Sequence, residues 1–65
     1  MQVKLHVRKV REEKKMSRER LAGRSEVALS HIHRIEKNAA NPSLAVMCKL
    51  AKTLDVSVCD LFSYE

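Results

Sequence analysis

Glycine and proline are nearly missing from this chain, Gly23 and Pro42 being the only examples in 65 residues. Aromatics are as scarce: there is no Trp, and Phe62 and Tyr64 stand alone. A β-sandwich needs turn residues at short intervals and bulky strand residues to fill its layers, so that class is excluded. A single-strand nucleic-acid binder that stacks bases on aromatic rings is excluded for the same reason. Cys48 and Cys59 form no CxxC pair and are too few for a disulfide framework. In a reducing cytosol they are expected to be free thiols. No stretch approaches the roughly 20 apolar residues that span a bilayer. The N-terminal segment has no continuous apolar run of the kind a signal peptide carries, so a cytoplasmic protein is expected. Gly-rich phosphate loops and paired carboxylates are also lacking. Catalysis, a cofactor and a small-molecule ligand are therefore not expected.

What is present is helix-forming and basic. Leu, Ala, Lys, Arg and Glu dominate, and these favour helices. The net charge of +5 is unevenly spread. Residues 1–38 carry eleven Lys or Arg against five acids, whereas residues 39–65 carry two against three. The positive field belongs to the first half, which suggests a polyanionic partner approached from that side. A chain this short buries only about 60% of its unfolded surface, so a single domain over residues 1–65 with marginal stability is expected.

The apolar spacing reads as five short helices. Val3, Val7 and Val10 recur at helical intervals and predict a first helix running to about Lys15. Ser17 is a natural N-cap for a second helix, with Glu19 in its first turn, Leu21 and Ala22 inward, and an end near Arg24 or Ser25. A break at Ser25–Val27 leads to a third helix from about Ala28 to Lys37, held inward by Ile32 and Ile35. Asn38 suits a left-handed cap where that helix stops. The stretch from Asn38 to Ser43, with the sole proline, reads as loop. A fourth helix follows from about Ser43 to Leu54, with Leu44, Met47, Leu50, Ala51 and Leu54 as core. After the link Asp55-Val56, Ser57-x-x-Asp60 resembles a capping box that starts a last helix through Val58, Leu61 and Phe62.

Two short helices joined by a three-residue turn, the second polar on its outer face, suit the major groove, which admits one helix. The stretch from Arg18 to Arg34 resembles the Cro and lambda-repressor-like (xenobiotic-response-element) helix-turn-helix family. Leu21-Ala22, Val27 and Ile32-x-x-Ile35-Glu36 carry the resemblance. It continues through Asn41-Pro42-Ser43-Leu44, Leu50-Ala51-x-x-Leu54-x-Val56-Ser57 and Leu61-Phe62. It thus covers nearly the whole chain. The resemblance implies an all-α, compact five-helix fold with the helix-turn-helix at the second and third helices. It also implies a transcriptional regulator of bacterial or phage type, most simply a repressor, that binds double-stranded DNA as a homodimer.

The residues can be read beside that. Ile32 and Ile35 anchor the third helix so that Leu29, Ser30, His33 and Arg34 project outward. The resemblance implies base contacts from Leu29, Ser30 and Arg34, while His33 suits a base or a phosphate. Arg34 is able to hold a guanine through paired N–H donors, and Leu29 to pack on a thymine methyl. Arg18 replaces the Gln usual in the family, and a cation there suits a phosphate. Ala28, Lys37, Asn38, Asn41 and Lys9 occupy positions from which backbone contacts are expected; Lys4 is a further option. Arg11 and Glu36 match a pair that forms a scaffold salt bridge in the family.

Several positions depart from the pattern. Lys15, Glu26, Asn38 and Asp55 stand at turn and cap sites where the family often has Gly, and Ala28 stands where it prefers Ser or Thr. His6, His31 and His33 with Cys48 and Cys59 raise the question of a metal, but His31 and His33 point about 200° apart on a helix and no pair has ligand spacing. No metal is expected. The rival class is a protein-interaction module, such as an antitoxin or co-regulator. Leu5, Val46, Val58 and Tyr64 are the apolar residues that would serve it, or a homodimer face.

Overall fold

The computed structural model describes all residues 1–65. The chain runs β1 (Val3–Leu5), α1 (Val7–Glu13), α2 (Arg18–Ser25), α3 (Leu29–Glu36), α4 (Leu44–Leu54), a 3-10 turn (Val58–Leu61) and β2 (Phe62–Tyr64). The core is apolar throughout, built from Val7, Val10, Leu21, Val27, Ile32, Ile35, Met47, Leu50, Ala51, Leu54 and Leu61. Every α-helix contributes to it, and no buried side-chain polar atom is left without a partner.

Four α-helices form, not five, and the two ends of the chain pair as a small antiparallel sheet. Val3 lies opposite Tyr64, Lys4 opposite Ser63 and Leu5 opposite Phe62. Val3 fits a helical stripe with Val7 and Val10, but its alternation with Leu5 fits a strand equally well, and pairing decides between them. Backbone bonds from Gln2 to Glu65 and from His6 to the Leu61 carbonyl extend the ladder. A Lys4–Glu65 ion pair at 2.9 Å and a His6–Ser63 contact at 2.8 Å flank it. The first helix consequently starts at Val7 and stops at Glu13, short of Lys15. The last segment starts on the expected capping box, Asp60 accepting from the Ser57 backbone. It tightens into a 3-10 turn because the chain must be extended by Phe62 to meet β1.

Hydroxyl caps start the helices where the sequence places them. Ser17 accepts from the Arg20 N–H, and Ser43 from the Val46 N–H. Leu44, expected in the core, is instead 70% exposed, because it sits in the first turn of α4 before that helix reaches the interior. The four departures from glycine all adopt the left-handed conformation, with φ of 56° at Lys15, 61° at Glu26, 56° at Asn38 and 57° at Asp55. The one glycine occupies an exposed position inside α2, where an added Cβ would meet nothing within 4 Å. A left-handed L-residue costs about 1–2 kcal/mol, and a mid-helix glycine about 0.5–1 kcal/mol relative to alanine. The double variant Gly23→Ala, Glu26→Gly is therefore expected to gain about 1.5–3 kcal/mol, seen as a thermal midpoint higher by about 6 °C or more. An unchanged midpoint would show that the turn relaxes when Glu26 is replaced.

Candidate nucleic-acid interface

The turn between α2 and α3 is held from within. Ser25, buried although polar, turns its Oγ to accept from the Val27 N–H at 3.3 Å. Glu26, in the left-handed region, donates its N–H to the Ala22 carbonyl. Val27 drops into the core, and α3 starts immediately after Ala28. Nothing in the polarity pattern singles Ser25 out. Its role follows from the need to satisfy a buried backbone N–H at a three-residue turn.

On α3, Ile32 and Ile35 are fully buried, which sends the remaining faces outward. Leu29 is 42% exposed. Ser30 and Arg34 are exposed, and His33 is half-buried. Arg18, Glu19, Leu29, Ser30 and His33 line one shallow cleft where α2 meets α3. Within it the Arg18 Nη1 lies 2.6 Å from His33 Nδ1, a contact that spacing along the chain does not announce. Ala28 provides no side-chain cap, and its carbonyl accepts from His31 and Ile32, so the Leu29 and Ser30 N–H groups have no acceptor from it.

Other expected contact residues lie elsewhere. Lys37 is the C-cap that follows α3, and Asn38 comes next with positive φ. Asn38 and Asn41 border a groove of about 370 Å³ lined also by Val3, Leu5, Ala40, Pro42, Leu44, Met47 and Phe62. Lys9, on α1, borders clefts shared with His6, Glu12, Glu13 and Asp60, apart from the cleft at Leu29 and Ser30.

Arg11 and Glu36 form the expected scaffold pair. Arg11 Nε donates to one Glu36 oxygen at 2.7 Å and Nη2 to the other at 3.2 Å, while Nη1 donates to the Met16 carbonyl at 2.8 Å. The side chains are 11% and 4% exposed. The Glu36 hydrogen bond pushes the Arg11 pKa above its ordinary value, against the opposing effect of burial. One guanidinium thereby joins α1, the α1–α2 link and the last residue of α3.

The remaining ion pairs, Lys4–Glu65 and Arg8–Glu12, also use cations of β1 and α1. Arg18, Arg20, Arg24 and Arg34, the cations of α2 and α3, have no carboxylate partner, and neither has Lys37. The carboxylate-paired cations thus lie on β1 and α1, and the arginines of the helix-turn-helix keep their charge free of carboxylates.

A family model described as helix-turn-helix matches residues 7–61. The chain belongs to the Cro/C1-type helix-turn-helix family. This is a family of DNA-binding transcription regulators, and the match spans α1 through the 3-10 turn. The terminal strands fall outside it. A comparison with curated proteins yields no significant match. No helix of this helix-turn-helix protein is long and apolar enough to cross a membrane.

Proposed function

We propose that this chain acts as a single domain over residues 1–65 that binds double-stranded DNA sequence-specifically. In this reading it is a small cytoplasmic regulator of bacterial or phage type, most simply a repressor that occupies a promoter. Helix α3 enters the major groove. The observation that carries the reading is that no arginine on α2 or α3 has a carboxylate partner, whereas all three arginine or lysine side chains held in ion pairs, Lys4, Arg8 and Arg11, lie on β1 and α1. Such cations displace counterions from phosphates, so affinity should fall steeply with salt.

Leu29, Ser30, His33 and Arg34 face the base edges. Lys37 and the uncapped N–H groups after Ala28 serve the phosphates, while Arg18, bonded to His33, stands beside the base-facing residues. Asn38, Asn41 and Lys9 contribute at most peripheral backbone contacts. Arg34 is exposed and without an internal partner, which leaves its paired donors available to a guanine. The test is selection of binding sites from a random duplex pool, followed by titration at two salt concentrations. A two-fold symmetric site is expected. Arg34→Ala should weaken it by about 1–3 kcal/mol, roughly 5- to 150-fold, and relax the preference at one base pair per half-site. If no sequence is enriched and binding disappears at physiological salt, the DNA reading fails.

The homodimer has a candidate face. In the two-stranded sheet, Val3, Leu5, Phe62 and Tyr64 lie on the same side, by the alternation of strand side chains and the observed register. Val3 and Tyr64 remain 52% and 67% exposed, and Leu44 adds 70% from the start of α4. Together with the groove bordered by Pro42 and Met47 they make one apolar surface holding both a concavity and projecting side chains. A two-fold interface requires that kind of self-complementarity. Of the apolar residues flagged by the sequence, Leu5 and Tyr64 border this surface, and Leu5, Val46 and Val58 also pack on the core.

A further inference from the structure

The Arg18–His33 contact carries a consequence for which base the third helix reads, given that α3 is the DNA-reading element. A guanidinium has donors only. At 2.6 Å from Arg18 Nη1, His33 Nδ1 must therefore be the acceptor. That assignment fixes the ring as neutral, with its single proton on Nε2. We propose that Arg18 and His33 form one recognition unit, in which Arg18 locks His33 in the tautomer that presents Nε2–H to the DNA, and the unit selects a guanine.

The chemistry follows from the donor inventory. Arg18 spends one N–H on His33 and keeps four; His33 keeps one N–H, on Nε2, for a partner outside the pair. The unit therefore presents donors and no acceptor. Guanine shows two acceptors in the major groove, thymine one acceptor beside a methyl, adenine one acceptor and one donor, and cytosine only a donor. Guanine is favoured and cytosine rejected. Leu29 and Ser30 border the same cleft one turn earlier on α3, so an apolar wall stands beside the donors. Glu19 is the only carboxylate lining that cleft, and it makes no ion pair with Arg18. Arg18 is thus a positioning residue for His33 and shares its readout, rather than a phosphate clamp independent of sequence. Arg34, lying at the next position along α3, is expected to read a separate base pair.

Two measurements test this. Nitrogen-15 NMR of the histidine rings reports tautomer directly, with no DNA present. His33 is expected to be wholly protonated at Nε2 in the wild type and to become a mixture in Arg18→Met; an unchanged tautomer in Arg18→Met overturns the lock. Site selection is then run on the wild type, Arg18→Met, His33→Ala, His33→Gln and His33→Glu. The wild type should prefer guanine over cytosine by about 10-fold or more at one base pair per half-site. Arg18→Met and His33→Ala should each lose that preference while keeping the others. His33→Gln, which can accept from Arg18 and donate outward, should retain most of it. His33→Glu can only accept, and should turn it towards cytosine. If Arg18→Met weakens all sequences equally and leaves the base preferences intact, Arg18 is a phosphate contact and the proposal is wrong, although the DNA reading survives. Failure of the wild type to enrich any sequence would instead remove the DNA reading, and this proposal with it.

Discussion

Glu36→Ala is expected to cost about 3–5 kcal/mol, because it strands the buried Arg11 guanidinium that three hydrogen bonds now satisfy. Stabilities of about 0.05–0.15 kcal/mol per residue give a chain of this length roughly 3–10 kcal/mol in total, so the loss takes about a third of it or more. Urea titration followed by circular dichroism should therefore show a sharply lowered midpoint at room temperature. The penalty is one of desolvation, so Arg11→Met with Glu36→Leu, which removes both charges, should recover most of the loss. A loss under about 1 kcal/mol for Glu36→Ala would mean that water reaches the pair and screens it. The pH dependence has a definite sign. Arg11's pKa is raised by folding, so its contribution is complete below the ordinary arginine range and disappears only as pH rises past the folded value. This pair should therefore cause no alkaline loss between about pH 7 and about pH 10. The proposed DNA reading is coupled to it as well. Glu36 is the last residue of α3, and Arg11 is what fixes that end of α3 to α1.

The parts of the fold legible in the sequence are those governed by local rules. Leu21, Ile32, Ile35 and Leu50 stand at helical spacing, and each is fully buried. Ser17, Ser43 and Ser57 cap because a hydroxyl before a helix has an orphan N–H to satisfy, a matter of a few residues. Asn38 turns left-handed for equally local reasons, and the family resemblance pointed to the same conformation at Lys15, Glu26 and Asp55.

Illegible features depend on what lies across the molecule. A three-residue strand has too few residues for its period to show, and β1 exists because β2, some sixty residues away, completes its ladder. Leu44 keeps perfect spacing with Met47, yet periodicity cannot say where along a helix the interior begins. The Arg18–His33 contact needs the relative placement of two helices, which no spacing encodes. For the candidate site, Leu29, Ser30 and Arg34 were legible as outward residues because Ile32 and Ile35 fix the rotation of α3. The company kept by Lys9, Asn38 and Asn41 was not, since each lies beyond the helix pair whose rotation the pattern fixes.

The same misplacement of Leu44 makes the strongest test of the proposed dimer. Leu44 is 70% exposed in the protomer, so Leu44→Asp removes almost no intramolecular packing. It also places a carboxylate in the first turn of α4, where the helix dipole favours negative charge. The protomer should unfold at the same urea concentration or a slightly higher one. In an interface, by contrast, the two-fold axis duplicates the change, and each copy buries an unpaired charge among Val3, Tyr64 and Pro42 of this apolar surface. Sedimentation equilibrium should show the wild type at twice its 7.5 kDa chain mass and Leu44→Asp at that mass. Binding to a full two-half-site operator should drop by about 10²- to 10⁴-fold, since the second contact is no longer intramolecular. A single half-site should be bound as before, because α2 and α3 are untouched. A wild type that sediments as a monomer even on its selected DNA would remove the dimer. A Leu44→Asp variant that remains dimeric would move the interface elsewhere. If the wild type is monomeric and this groove captures a heterologous protein that Leu44→Asp rejects, the apolar surface belongs to a partner of the antitoxin or co-regulator kind.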